Sequence, residues 1–158
     1  MKILHTADWH VGKVLKNQPR FDEHRAVLAD LVRIAREEDV DLVIVAGDLF
    51  ETSTPAPDAQ ALVMNTLLAL RSDGRQVVAL AGNHDNRQLV DKVYRPVLGA
   101  LGLNVVGMPK RPDNGGVLAL PTSSGETARV AVLPFVSVRH AVRAAEVMLH
   151  EAAQHSQR

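Results

Sequence analysis

Three short stretches carry the residue types that phosphate chemistry on a divalent ion needs. They are Asp8-Trp9-His10, Gly47-Asp48 and Gly82-Asn83-His84-Asp85. Carboxylates, imidazoles and amide oxygens are the ligands such ions prefer. Asp8 and His10 are two residues apart, so in an extended segment both side chains point the same way and reach one ion. Asp48 can bridge two ions through its two oxygens, and Asn83 can offer its side-chain carbonyl to the second. Two cations about 3.5–4 Å apart grip the attacking and leaving oxygens of an in-line displacement and activate water near neutral pH. His84 is assigned to the scissile phosphate, as proton donor or charge stabiliser. Asp85 is expected to hold the other ring nitrogen of His84 and fix its tautomer. Each stretch alone is an ordinary turn. The three together, each at the end of an apolar strand, point to one metal site with Asp48 at its centre.

The elements that must position these residues follow from hydropathy patterning. Lys2 to Ala7 predicts a first strand, and Asp8 to Pro19 a loop with Gly12, Asn17 and Pro19. Phe21, His24, Val27, Leu28, Leu31, Ile34 and Ala35 recur at helical spacing and predict a helix over 21–38. Leu42-Val43-Ile44-Val45-Ala46 is apolar without alternation, as a parallel strand covered on both faces should be. A helix over 58–71 and a strand over 76–81 follow. The segment 86–100 predicts a helix interrupted at Pro96, and 103–107 a fourth strand. Residues 116–120 and 128–135 predict an antiparallel hairpin, and 137–155 a last helix. Alternating strands and helices mean an α/β fold with a mostly parallel sheet and flanking helices. Ligands of such sheets bind beyond the C-terminal ends of the strands, where all three polar stretches fall. His5, inside the first strand, is expected in the core. His24, His140, His150 and His155, on predicted helices, are expected at the surface or boundary.

Composition limits the alternatives. Eighteen basic and eighteen acidic residues balance among 158, so binding to nucleic acid needs a local patch or metal ions rather than net charge. Lys13, Lys16, Arg20 and Arg87 follow the motif loops and are the candidates for a phosphate backbone. There is no cysteine, which excludes disulfides and thiolate ligands and fits a reducing compartment. The N-terminus turns polar too early for a signal peptide, and no apolar run approaches a membrane span. A cytoplasmic protein with no membrane association is expected.

On these motifs the chain resembles the calcineurin-like metallophosphoesterase superfamily. Its nearer resemblance is to SbcD-type DNA repair exonucleases, carried by 4–13 (Leu-His-Thr-Ala-Asp-Trp-His-Val-Gly-Lys), 45–50 (Val-Ala-Gly-Asp-Leu-Phe) and 133–135 (Leu-Pro-Phe). The resemblance implies a layered metallophosphoesterase fold and Mn(2+)-dependent cleavage of DNA phosphodiester bonds by a homodimeric nuclease subunit. It implies as partner an SbcC-like coiled-coil ATPase. By motif position Asp8, His10, Asp48 and Asn83 correspond to metal ligands and His84 to the catalytic histidine. The sequence departs from the family at Glu51, where many relatives have Asp, and it has no match to the family's later Gly-His-x-His block. The expectation is therefore an incomplete fold: residues 1–158 as the N-terminal part of a nuclease domain, with later strands and a capping domain absent and about half the ligands of a two-metal site. The alternatives are a phosphoesterase acting on nucleotides or small phosphodiesters, and a truncated module that binds without cutting.

Overall fold

The computed structural model describes residues 1–137. The helix expected over 137–155 lies, but for its first residue, outside them. Strands β1 (Ile3–Thr6), β4 (Leu42–Ala46), β5 (Gln76–Leu80) and β6 (Asn104–Val106) form one sheet in the order β1-β4-β5-β6. Every pairing in it is parallel. The expected α/β class and the C-terminal antiparallel hairpin, β7 (Val117–Pro121) with β8 (Thr127–Ala131), are both present.

The two faces of the sheet are covered differently. On one, Val43, Val45, Val77, Ala79 and Val105 pack against three helical segments. Helix α1 (Phe21–Glu37) contributes Leu28, Val32 and Ala35, and α2 (Pro57–Arg71) contributes Ala59, Val63, Leu67 and Leu70. On the other, Leu42, Val78 and Val106 pack against Leu120, Ala128 and Val132 of the hairpin layer. Coverage on both faces explains why the central strands carry no polar alternation. Strand β1 is the edge, and the hairpin does not cover it. Ile3 and His5, paired with Leu42 and Ile44, are therefore exposed, and His5 is not the core histidine expected.

Two local features differ from expectation. The loop after β1 contains a small antiparallel pair, β2 (Val14–Leu15) and β3 (Gln18–Pro19), turned by Lys16 and Asn17 with φ of 47° and 61°. Positive φ at both central residues is the turn that suits a two-residue hairpin. Pro96 does not break its helix. Helix α3 (Arg87–Leu89) passes through a π turn over Val90–Tyr94 into α4 (Arg95–Ala100). Pro96 falls in the first turn of α4, where a missing N–H costs little.

The N-terminal ends of the strands are tied by two buried polar side chains. The Arg75 guanidinium donates to the carbonyls of Val40 (2.8 Å), Leu70 (2.9 Å) and Ala35 (3.1 Å). Asp41 accepts from the Lys2 N–H (2.7 Å), the Ser123 hydroxyl (2.6 Å) and the Ser124 N–H (3.2 Å). The opposite, C-terminal ends carry the three motif loops.

Candidate metal centre

The three motif loops leave the tips of β1, β4 and β5 and are zipped together by backbone and carboxylate bonds. The Asp8 N–H donates to the Gly47 carbonyl (3.1 Å), His10 to Asp48 (2.9 Å) and Val11 to Leu49 (3.1 Å). Trp9, buried between Asp8 and His10 in the chain, donates from Nε1 to Thr6 Oγ1 at 3.0 Å. Asp8, His10 and Asp48 all have positive φ, of 55°, 46° and 49°. Three non-glycine residues in the left-handed region within one cluster mark backbone strain held in place by surrounding contacts. Asp8 and His10 therefore converge through left-handed turns, not through strand alternation as expected.

Glycine is required where the tips of β4 and β5 meet. A Cβ on Gly82 would collide with the backbone nitrogen and carboxylate of Asp48. Gly47, at φ 99°, would place its own Cβ 3.1 Å from Gly82 Cα. The close approach lets the His84 N–H donate to Asp48 Oδ1 at 2.9 Å.

His10, Asp48 and His84 each offer a ligand atom within 4.8 Å of the other two. His10 Nε2 lies 3.7 Å from Asp8 Oδ1 and 3.9 Å from Asp48 Oδ2. Ligand atoms about 2.1 Å from a shared ion lie about 3.0–4.2 Å apart, so the separations of His10 from Asp8 and Asp48 fit one ion. His10 with the Asp8 and Asp48 carboxylates is a donor set hard enough for a divalent first-row ion, and the His84 imidazole stands beside it. Asn83 is exposed and lies on the rim of the same cleft of about 270 Å³, with Asp8, Asp48, Gly82 and Phe135. The two imidazole rings meet edge to face at 4.8 Å.

His84 Nδ1 lies 2.7 Å from the Glu51 carbonyl oxygen. That hydrogen bond raises the His84 pKa; burial opposes it, and the charges of Asp48 and Glu51 add to it. A bond accepted by a carbonyl fixes the proton on Nδ1, leaves Nε2 for the site, and favours the imidazolium.

Asp85 does not hold His84. Its carboxylate accepts from the backbone N–H groups of Gly82 (2.8 Å), Phe50 (3.0 Å) and Leu49 (3.1 Å). Burial pushes its pKa up, and these three donors pull against the shift. The side chain ties the β5 tip to the β4 tip, because three adjacent buried N–H groups have no ladder partner and need an acceptor. The tautomer role expected of Asp85 passes to the Glu51 carbonyl. The acid three residues after Asp48 was the available signal, and only the loop's folding reveals its use.

The basic candidates are scattered. Lys13 Nζ lies 3.5 Å from Glu51 Oε2. Arg20 pairs with Glu23, and Lys16 is exposed at its hairpin tip. Arg87 lines a hollow of about 690 Å³ with Asn83, Asn86, Met108 and Phe135. His24, expected at the surface or boundary, is half-buried, with Nδ1 shielded and unpartnered; burial lowers its pKa.

Residues 1–136 match the family model for calcineurin-like phosphoesterases. The chain belongs to the calcineurin-like phosphoesterase family. Among curated proteins it is similar to the SbcD component of the nuclease SbcCD from Rhodobacter capsulatus, 40% identical over 144 residues, 86% of this chain and 35% of that protein. The Bacillus subtilis counterpart is 40% identical over 138 residues, 87% of this chain and 34% of the relative. The Escherichia coli counterpart is 35% identical over 129, covering 77% and 32%. The chain spans about a third of the length of these relatives. Family membership and the Asp/His cluster together support divalent-metal phosphoesterase chemistry. Among the described residues no helix is long and apolar enough to cross a membrane.

Proposed function

We propose that this chain carries the core of an SbcD-like nuclease subunit, hydrolysing DNA phosphodiester bonds in double-strand-break repair. The supporting observation is the meeting of His10, Asp48 and His84 at three strand tips, in a chain 35–40% identical to the SbcD components of SbcCD nucleases. Asp8, His10, Asp48 and Asn83 would hold two divalent ions, with manganese the first to test. When bound, such ions activate the attacking water and neutralise charge on the phosphate.

The protein's own groups do the rest. Asp48 is held by the His84 N–H, so its carboxylate is oriented before substrate arrives. His84 gives a proton from Nε2 to the leaving oxygen as its bond to phosphorus breaks. Lys13 and Arg87, beside the cleft, would meet the DNA backbone, with Lys16 and Arg20 further along the same loop. A partner like the coiled-coil ATPase SbcC and a cytoplasmic place belong to the same proposal. Self-association is proposed from the same resemblance; Val93, Val97 and Leu101, 49%, 61% and 54% exposed, are apolar side chains available to a second copy. We further propose that residues 1–158 are the N-terminal part of the nuclease domain, and that the remaining ligands come from beyond them.

The test is manganese-dependent release of nucleotides from linear duplex DNA by the protein. Asp48→Ala is expected to lose both manganese and cleavage. His84→Ala is expected to keep manganese and lose about 10²–10⁴-fold in rate. Loss of manganese in His84→Ala would make His84 a ligand instead. Turnover of bis(p-nitrophenyl) phosphate with intact DNA would favour a small-diester enzyme.

A further inference from the structure

Glu51 touches both imidazoles of the centre, by two different groups. Its carboxylate oxygen Oε2 lies 2.9 Å from His10 Nδ1. Its backbone carbonyl oxygen lies 2.7 Å from His84 Nδ1. Its own N–H donates to the Val11 carbonyl at 3.2 Å, which pins Glu51 to the loop that carries Asp8 and His10. Phe50 before it is buried and held by Asp85. The residue is therefore fixed from both sides.

We propose that Glu51 is the positioning residue of the metal centre, presenting Nε2 of His10 through its carboxylate and Nε2 of His84 through its carbonyl. The proposal rests on the metal-centre reading above. Metal-bound histidines nearly always donate their second ring N–H to a carboxylate or carbonyl, which fixes the tautomer and ring orientation. Here one residue supplies both kinds of acceptor. His10 Nδ1 and Glu51 Oε2 are both shielded from water, and neither has hydrogen-bonding geometry to any group. Their 2.9 Å approach sets the carboxylate oxygen beside the ring nitrogen, off the hydrogen-bond axis. A desolvated polar atom costs free energy until it is paired, and each of these two has the other within 2.9 Å.

A plain surface ion pair with Lys13 is the competing account. Lys13 Nζ is farther from the same oxygen, at 3.5 Å, and its side chain is 42% exposed against 20% for His10. The shorter, more shielded contact is the one to the imidazole, so Lys13 acts as an outer brace.

The two contacts separate cleanly in experiment, because side-chain substitution removes one and leaves the other. Long-range ¹H–¹⁵N correlation, recorded above the imidazole titration range, reads the tautomers of His10 and His84 without metal. In Glu51→Ala, His10 is expected to shift from the Nδ1–H form to a mixture. His84 should keep its Nδ1–H signal, since its partner is backbone, and so reports that the loop is folded. Manganese affinity by calorimetry should fall about 10–100-fold. Glu51→Gln, whose side-chain oxygen still accepts from Nδ1, should restore most of both. An unchanged His10 tautomer or manganese affinity in Glu51→Ala would overturn the proposal, as would Glu51→Gln behaving like Glu51→Ala. Failure of the unsubstituted protein to bind manganese would instead overturn the metal-centre reading.

Discussion

At the scale of single residues, the centre depends on side chains that are not ligands. Asp85 is the clearest. A general acid or a tautomer-fixing partner would be silent in stability and loud in turnover. Asp85 instead satisfies three buried N–H groups on two strand tips. Asp85→Asn replaces one acceptor oxygen by a donor, so at least one of these N–H groups loses its partner. The expected cost is about 1–3 kcal/mol of unfolding free energy, read by urea denaturation without metal. An unchanged midpoint with lost turnover would return Asp85 to the catalytic role first expected of it. The sequence made the motif residues legible because three such stretches recur, each at the end of an apolar strand. It did not reveal which atom meets which. Asp85 follows His84 directly, and adjacency suggested contact. The chain turns at that point, the Asp85 carboxylate points back to the β4 tip, and a carbonyl from another loop takes its place at the imidazole.

At the scale of elements, the strands and helices were readable and their special turns were not. Leu42–Ala46 and Gln76–Leu80 are apolar because both faces are covered, and that signal is strong. Pro96 misled, since the π turn before it shifts the helix register and makes the proline a first-turn residue. The β2–β3 hairpin was hidden because its turn uses Lys16 and Asn17 instead of Asn-Gly. Arg75 was also silent, a charge at the start of an apolar strand. Its guanidinium accepts nothing and donates to three carbonyls at the ends of α1 and α2 and before β4. Arg75→Ala removes charge-assisted bonds worth about 1.5–3 kcal/mol each before partial rehydration. We expect a net loss of at least about 3 kcal/mol by urea denaturation. Manganese affinity of the folded fraction should be unchanged, because Arg75 sits at the opposite strand ends. A parallel loss of affinity would show that the two ends are coupled.

At the scale of the whole molecule, that division of labour becomes a pH dependence. Asp41 joins Lys2 at the start of β1 to the turn of the β7–β8 hairpin, so it links the hairpin layer to the sheet. The Ser123 hydroxyl holds its carboxyl below the usual range, followed by the Lys2 N–H; burial opposes, and the Ser124 N–H and the N-terminal ammonium assist. A carboxylate whose folded pKa is depressed binds its proton more readily when unfolded. Its stabilisation is complete above the ordinary aspartate value, about 3.9, and disappears as pH falls through the lower folded value. Thermal melts from neutral pH down to about pH 3 should therefore show Asp41→Asn less stable at neutral pH, with its curve converging on that of the unsubstituted protein in acid. The hairpin layer covers Leu42, Val78 and Val106, so its loosening in acid should expose that face and raise binding of an apolar dye. The proposed ligands lie at the far strand ends, away from Asp41, and manganese affinity at neutral pH should be equal in the two proteins. Parallel melting curves across the whole range would show that the clamp contributes nothing through its charge. The hairpin layer would then be held by apolar packing alone.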